Sequence, residues 1–104
     1  MLLYEVNLEI NSSIYAEFMI WLKPHIKDIL TLNGFLKADL LRDKNEGREG
    51  MQKITVVYYI SDYTHYHQYI NEQADRMRND GIQRFAGLFT ASRRLLEIEE
   101  SYQN

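Results

Sequence analysis

Two arginines stand side by side in GLFTASRRLLEIEE, the stretch from Gly87 to Glu100. A pair of guanidiniums is what a protein uses to grip a carboxylate or a phosphate. Adjacent side chains of a strand point to opposite faces, so Arg93 and Arg94 can serve one pocket only if the strand bulges between them. By parity Arg93 shares a face with Phe89, Ala91, Leu95 and Glu97, and Arg94 shares one with Ser92, Leu96 and Ile98. The second set reads as the more core-like. Arg94 is therefore expected at a helix side or an edge, and Arg93 on the opposite, free face, paired with Glu5 or Glu9 of the first strand or holding a ligand.

Asn7 and Tyr59 are expected on that same free face, which makes Asn7, Tyr59 and Arg93 the candidate ligand-binding set and Glu5, Glu9 and Arg93 the candidate ion-pair set. The histidines carry less. His65 and His67 are two residues apart, so a regular helix turns them away from each other and they cannot share one metal. His25 falls on an apolar helical stripe, where it reads as a core residue. There are no cysteines, which excludes disulfides, thiolate nucleophiles and zinc ribbons. Glu99 and Glu100 read as solvated charge at a strand end. No catalytic nucleophile or base, no metal site and no cofactor is identified.

The elements that must position these residues follow from periodicity. Leu2, Tyr4, Val6, Leu8 and Ile10 alternate with Leu3, Glu5, Asn7 and Glu9, which predicts a strand with one buried face. Asn11, Ser12 and Ser13 supply helix-capping oxygens, with Glu17 placed well against the helix dipole. Ile14, Phe18, Trp21, Leu22, His25 and Ile29 form one helical stripe, with Pro24 on the far side, where it kinks or restarts the helix. Asn33 and Gly34 end that helix. Phe35 to Arg42 and Met51 to Ile60 read as a strand pair joined by a long polar connection, 43–50, whose tip is expected to be mobile and whose use as a lid the sequence leaves open. Ser61 or Asp62 can cap a second helix carrying Tyr63, Tyr66, Ile70, Ala74 and Met77 on one side. Asp80 and Gly81 are expected to break it before the closing strand.

The order is β-α-β-β-α-β, a ferredoxin-like α+β fold: an antiparallel sheet with two helices on one face. At 104 residues the chain is read as a single domain, 1–104. Hydrophobic residues make up 45% and charged residues 26%, the balance of a globular protein. The formal net charge of −3, with no basic run beyond the arginine pair, argues against nucleic acid as a partner. No apolar run is long enough to span a membrane, and Glu5, Asn7 and Glu9 interrupt the opening apolar stretch, so a cytoplasmic protein without a membrane role is expected. The free sheet face should carry Leu3, Val57, Tyr59 and Leu41, more apolar surface than solvent favours, and this predicts burial by a second copy of the chain.

YEVNLEI, NGFLKADLLR and GIQRFAGLFTASRRLLEIE together resemble a bacterial family of domains of unknown function within the dimeric α/β-barrel superfamily, which also includes antibiotic-biosynthesis monooxygenases and haem-degrading enzymes. The resemblance covers nearly the whole chain. It implies two sheets packed face to face across a two-fold axis, with a barrel interior able to hold a ligand, and no established activity for the narrower family. Haem-degrading members use an asparagine on the first strand, a tryptophan and an axial histidine from the second helix. Asn7, Trp21, His65 and His67 match that set incompletely, because Trp21 falls on the first helix's apolar stripe. Two functional readings result: a homodimeric module binding a small molecule in the inter-sheet cleft, or a cofactor-independent monooxygenase or isomerase confining its substrate near Asn7, Tyr59 and Arg93.

Overall fold

The structure is a computed structural model and describes residues 1–44 and 48–104. Four strands, β1 (Leu2–Asn11), β2 (Phe35–Arg42), β3 (Met51–Ile60) and β4 (Phe89–Glu97), form one antiparallel sheet in the order β2-β3-β1-β4. Helices α1 (Tyr15–Ile29), α2 (Tyr63–Glu72) and α3 (Ala74–Phe85) cover one face of it. This is the ferredoxin-like α+β arrangement, with the expected second helix in two pieces. The tip of the β2–β3 connection, on which the mobile-tip and lid expectations fall, lies at residues 45–47, outside the described residues.

Local chemistry accounts for most of the boundaries. The Asn11 side chain accepts from the Ser13 N–H at 2.9 Å and starts a short 3₁₀ turn, Ser12–Ile14, that leads into α1. Pro24 sits exposed within α1, on the solvent side, where its missing donor is tolerated. Gly34 follows the helix with φ +84°, and a Cβ there would lie 2.3 Å from Cγ of His65. Both the backbone conformation and the packing demand glycine. Asp62 caps α2, accepting from the His65 N–H at 3.0 Å while the same carboxylate also meets the His65 ring.

The second helical region differs from expectation in where it breaks. Gln73, with φ −125°, separates α2 from α3, yet its N–H still donates to the Tyr69 carbonyl and its own carbonyl accepts from the Met77 N–H. The interruption is thus a kink that preserves the hydrogen-bond ladder. Gly81, expected to break the helix, lies inside α3, and a Cβ there would approach the Trp21 ring to 2.7 Å. Its role is close packing of α3 on α1.

The core is the helix-facing side of the sheet. Leu2, Tyr4, Leu8 and Ile10 of β1 and Ile54, Val56, Tyr58 and Ile60 of β3 bury themselves against Phe18, Leu22 and Ile29 of α1 and Tyr69, Met77 and Phe85 of the second helical region. Each such side chain contributes on the order of 1.5–3 kcal/mol by leaving water. Phe18, with no exposed surface, meets the rings of Trp21, Phe85 and Phe89 at centroid separations of 5.0–5.4 Å.

The register of β4 reverses the expected parity. Residues directly opposite in an antiparallel pair share a face, and Arg93 stands opposite Val6 whereas Arg94 stands opposite Glu5. Arg93 therefore lies on the helix side with Phe89, Ala91 and Leu95, and Arg94 on the open side with Ser92 and Leu96. Phe89 and Ala91, apolar but small in number, form the core-facing set after all. β4 is an edge strand only partly covered, so both of its faces are mixed and hydrophobicity alone points to neither.

Candidate functional site

The open face of the sheet holds the expected polar residues in a network among themselves. Glu5 takes hydrogen bonds from Arg94 Nε at 2.9 Å and from Asn7 Nδ2 at 3.0 Å. Asn7 Oδ1 in turn accepts from the Thr55 hydroxyl at 2.7 Å. Arg94, followed by Asn7, holds the Glu5 carboxyl below its ordinary pKa of 4.5. Glu9 pairs with Arg48 at 2.7 Å. The Tyr59 hydroxyl donates to Asp39 at 3.0 Å, and the Lys37 ammonium sits 4.4 Å from the Tyr59 ring centroid. The carboxylate partner raises the Tyr59 phenol pKa. Arg93 takes no part in this: the Glu5 ion pair assigned to it belongs to Arg94, and the Glu9 pair to Arg48.

The three expected ligand residues are accordingly divided, Asn7 and Tyr59 on the open face and Arg93 on the other. On Arg93's side a cavity of about 280 Å³ lies between the sheet, α1 and α3. Its sheet floor is built by β1, β3 and β4, where Val6 and Ala91 are small enough to leave space. Phe18, Trp21 and Leu22 of α1 form one wall and Ile82 of α3 another. Gly87, with φ +79°, turns the chain from α3 into β4 at its rim.

Polar groups converge on this apolar cavity. Arg78 projects from α3 and donates from Nη2 to the Tyr4 hydroxyl at 2.9 Å, while its Nε is fully buried without a partner. Arg93 reaches the same cavity from β4 and remains exposed. Tyr4, Tyr58 and Tyr69 pack together with ring centroids about 6 Å apart. Burial pushes the Tyr69 phenol up to about 12 and raises Tyr58 further, while Arg93 acts on both in the opposite sense and Arg78 on Tyr69. The raised Tyr58 and Tyr69 phenols stay neutral at physiological pH and can donate. At the α1 wall, His25 stacks on Trp21 at 4.5 Å. Burial lowers its pKa against the opposing charges of Asp28 and Asp80, and this favours a neutral imidazole. The Trp21 indole N–H is held by Asp80 at 2.6 Å.

The histidines of α2 stand apart from the cavity lining: His65 serves the Asp62 cap, and His67 packs edge-on against Tyr63 at 4.4 Å. Among the described residues no group of three metal-ligating side chains comes together, and no helix is long and apolar enough to cross a membrane. Arg78 was not singled out in the sequence, although a signal for it exists. Ala74, Met77, Gly81 and Phe85 are the buried positions of α3, and Arg78, four residues after Ala74, falls on their stripe. A charge on a buried helical stripe is the anomaly to look for.

A ferredoxin-like α+β protein with an apolar cavity between its sheet and helices is the class these features define. The chain belongs to the family described as a domain of unknown function, DUF4286, whose profile matches residues 1–99. Among solved structures it is similar to a mutant of SnoaB, a cofactor-independent oxygenase from Streptomyces nogalater, at 14% identity and a TM-score of 0.73, covering 99% of this chain and 98% of that one. It is similar to a dimeric ferredoxin-like protein from an uncultured marine organism, at 12% identity and a TM-score of 0.71, with both chains covered completely. A third likeness is to the haem-degrader MhuD from Mycobacterium tuberculosis, solved with two haems bound in its active site, at 17% identity and a TM-score of 0.65, covering 99% and 100%. At such identities the likeness establishes the fold. No curated protein matches the chain in sequence.

Proposed function

We propose that the protein is a homodimer whose protomers each bind a small, largely apolar molecule in the cavity between the sheet and helices α1 and α3. The observation that carries this reading is the cavity itself, apolar walls with a few convergent polar groups, the usual composition of a small-molecule site. Its volume of about 280 Å³ falls just below the usual range of such sites, about 300 to 1,000 Å³, which suits a small ligand. The dimer reading rests on the open face, where Leu41, 48% exposed, shares a side of the sheet with Leu3, Val57 and Leu96, and on the description of one structural neighbour as dimeric.

Native mass spectrometry tests both parts. A dimer carrying a retained small molecule is expected, with Ala91→Phe losing the molecule and keeping the dimer, and Leu41→Arg weakening the dimer. A chain that remains monomeric at micromolar concentration removes the dimer reading. An Ala91→Phe variant that retains its ligand places that ligand elsewhere.

One observation favours a second reading, the conversion of the bound molecule. The neutral His25 imidazole in the cavity wall could take a proton from an acidic carbon or phenol of the ligand, the opening step of a cofactor-independent oxygenation or isomerisation. His25→Leu would then abolish oxygen uptake or isomerisation while leaving binding by calorimetry intact.

A further inference from the structure

We propose that the ligand of the helix-side cavity is an apolar molecule with a carboxylate head, gripped by the guanidiniums of Arg78 and Arg93. This rests on the reading of the cavity as a binding site and adds the chemical class of what it binds.

Three features converge on an anion. Two arginines line the cavity, and among the described residues no aspartate or glutamate lines it with them. Neither arginine forms an ion pair among the described residues, although the chain as a whole carries an excess of three acidic side chains. The carboxylates of the open face are taken by other arginines, Glu5 by Arg94 and Glu9 by Arg48. Two like charges left facing one apolar cavity raise each other's cost, and an anion placed between them removes it.

The donors are also arranged at different depths. Arg78 is anchored by the Tyr4 hydroxyl through Nη2, and its buried Nε has no partner. A buried N–H of this kind normally has an acceptor, and a ligand carboxylate oxygen beside it would supply one. Arg93 stays exposed at the same cavity and is free to swing onto an entering carboxylate. Both act on the Tyr69 phenol, which places them around the same part of the cavity. The apolar remainder, Phe18, Trp21 and Leu22, suits an aromatic or aliphatic body. A planar guanidinium matches a carboxylate edge to edge, which is the reason for choosing that head group.

The test compares 4-phenylbutyrate with its neutral amide and with acetate, by isothermal titration calorimetry and by the emission of Trp21, the chain's one tryptophan and part of the cavity wall. The expected result is a carboxylate bound about tenfold or more tighter than the amide, a gap of at least about 1.4 kcal/mol. Acetate should bind far more weakly than 4-phenylbutyrate. Arg93→Gln, at an exposed position that should leave folding intact, and Arg78→Gln should each reduce the preference for acid over amide severalfold. Equal affinity for acid and amide would overturn the anion inference while keeping the cavity as a site. Acetate binding as tightly as 4-phenylbutyrate would reduce the arginines to a surface charge cluster and overturn it as well. Failure of both aromatic probes to bind, with Trp21 emission unmoved, would remove the cavity reading together with this one.

Discussion

The two faces of the one sheet handle charge in opposite ways. On the open face every charged or amide group that could interact does so: Glu5 with Arg94 and Asn7, Asn7 with Thr55, Glu9 with Arg48, Asp39 with Tyr59. On the helix face, among the described residues, Arg78 donates to the Tyr4 phenol and neither Arg78 nor Arg93 has a carboxylate partner. Solvent-exposed charges find partners at little cost and gain little from them. Charges beside an apolar core are costly, and their persistence without partners is what separates a site from a surface. Two consecutive residues of β4, Arg93 and Arg94, carry that contrast within one dipeptide.

The contrast can be broken or sharpened by substitution, and the largest effect should come from the helix-face core. Phe18→Ala removes a ring with no exposed surface and should cost about 3–5 kcal/mol in urea denaturation. A loss below 1 kcal/mol would mean that this face is not where stability resides. Next, Tyr4→Phe takes from Arg78 its hydroxyl acceptor and should cost about 0.5–1.5 kcal/mol. Smaller again is Arg94→Ala, on the open face, at about 0.2–1 kcal/mol.

The Arg94 effect should depend on pH. The folded Glu5 carboxyl has a pKa below its ordinary value of 4.5, so the unfolded chain binds the proton more readily. The stabilisation is complete above that ordinary value and is lost as pH falls through the lower, folded one. Wild type and Arg94→Ala should therefore converge in stability under acid, which stability curves measured from pH 7 down to pH 2 would show. The smallest effect is Arg93→Ala, expected near zero without ligand because no partner is lost. Should it prove more destabilising than Arg94→Ala, the comparison of the two faces would be inverted, and with it the case for a site at Arg93.

Much of the fold was legible because its local rules are strong. The alternation of Leu2 to Ile10, the capping oxygens at Asn11 and Asp62, and the left-handed Gly34 act within a few residues and need no knowledge of the rest. The split at Gln73 was not legible, because the hydrogen-bond ladder runs through it and no breaker residue marks it. Gly81 misled in the opposite sense: a glycine within a helical pattern reads as a stop, and only the Trp21 ring lying over it shows that a missing Cβ was the requirement. The site fared likewise. Asn7 and Tyr59 were read on the correct face, and Arg93 on the wrong one, since β4's two faces are similarly mixed and its register with β1 is a long-range fact.

The sequence by itself determined the ferredoxin-like order of elements, the open face with its polar residues, and the presence of two arginines that could not share a face. Periodicity and capping decide these over short spans of chain, where backbone geometry leaves few alternatives. Only the tertiary structure decided which arginine faces which side, and that the one on the helix side meets Arg78, Tyr69 and Trp21 around a cavity. Those residues lie on α1, α2, α3 and β4, so their meeting depends on packing that no local pattern encodes.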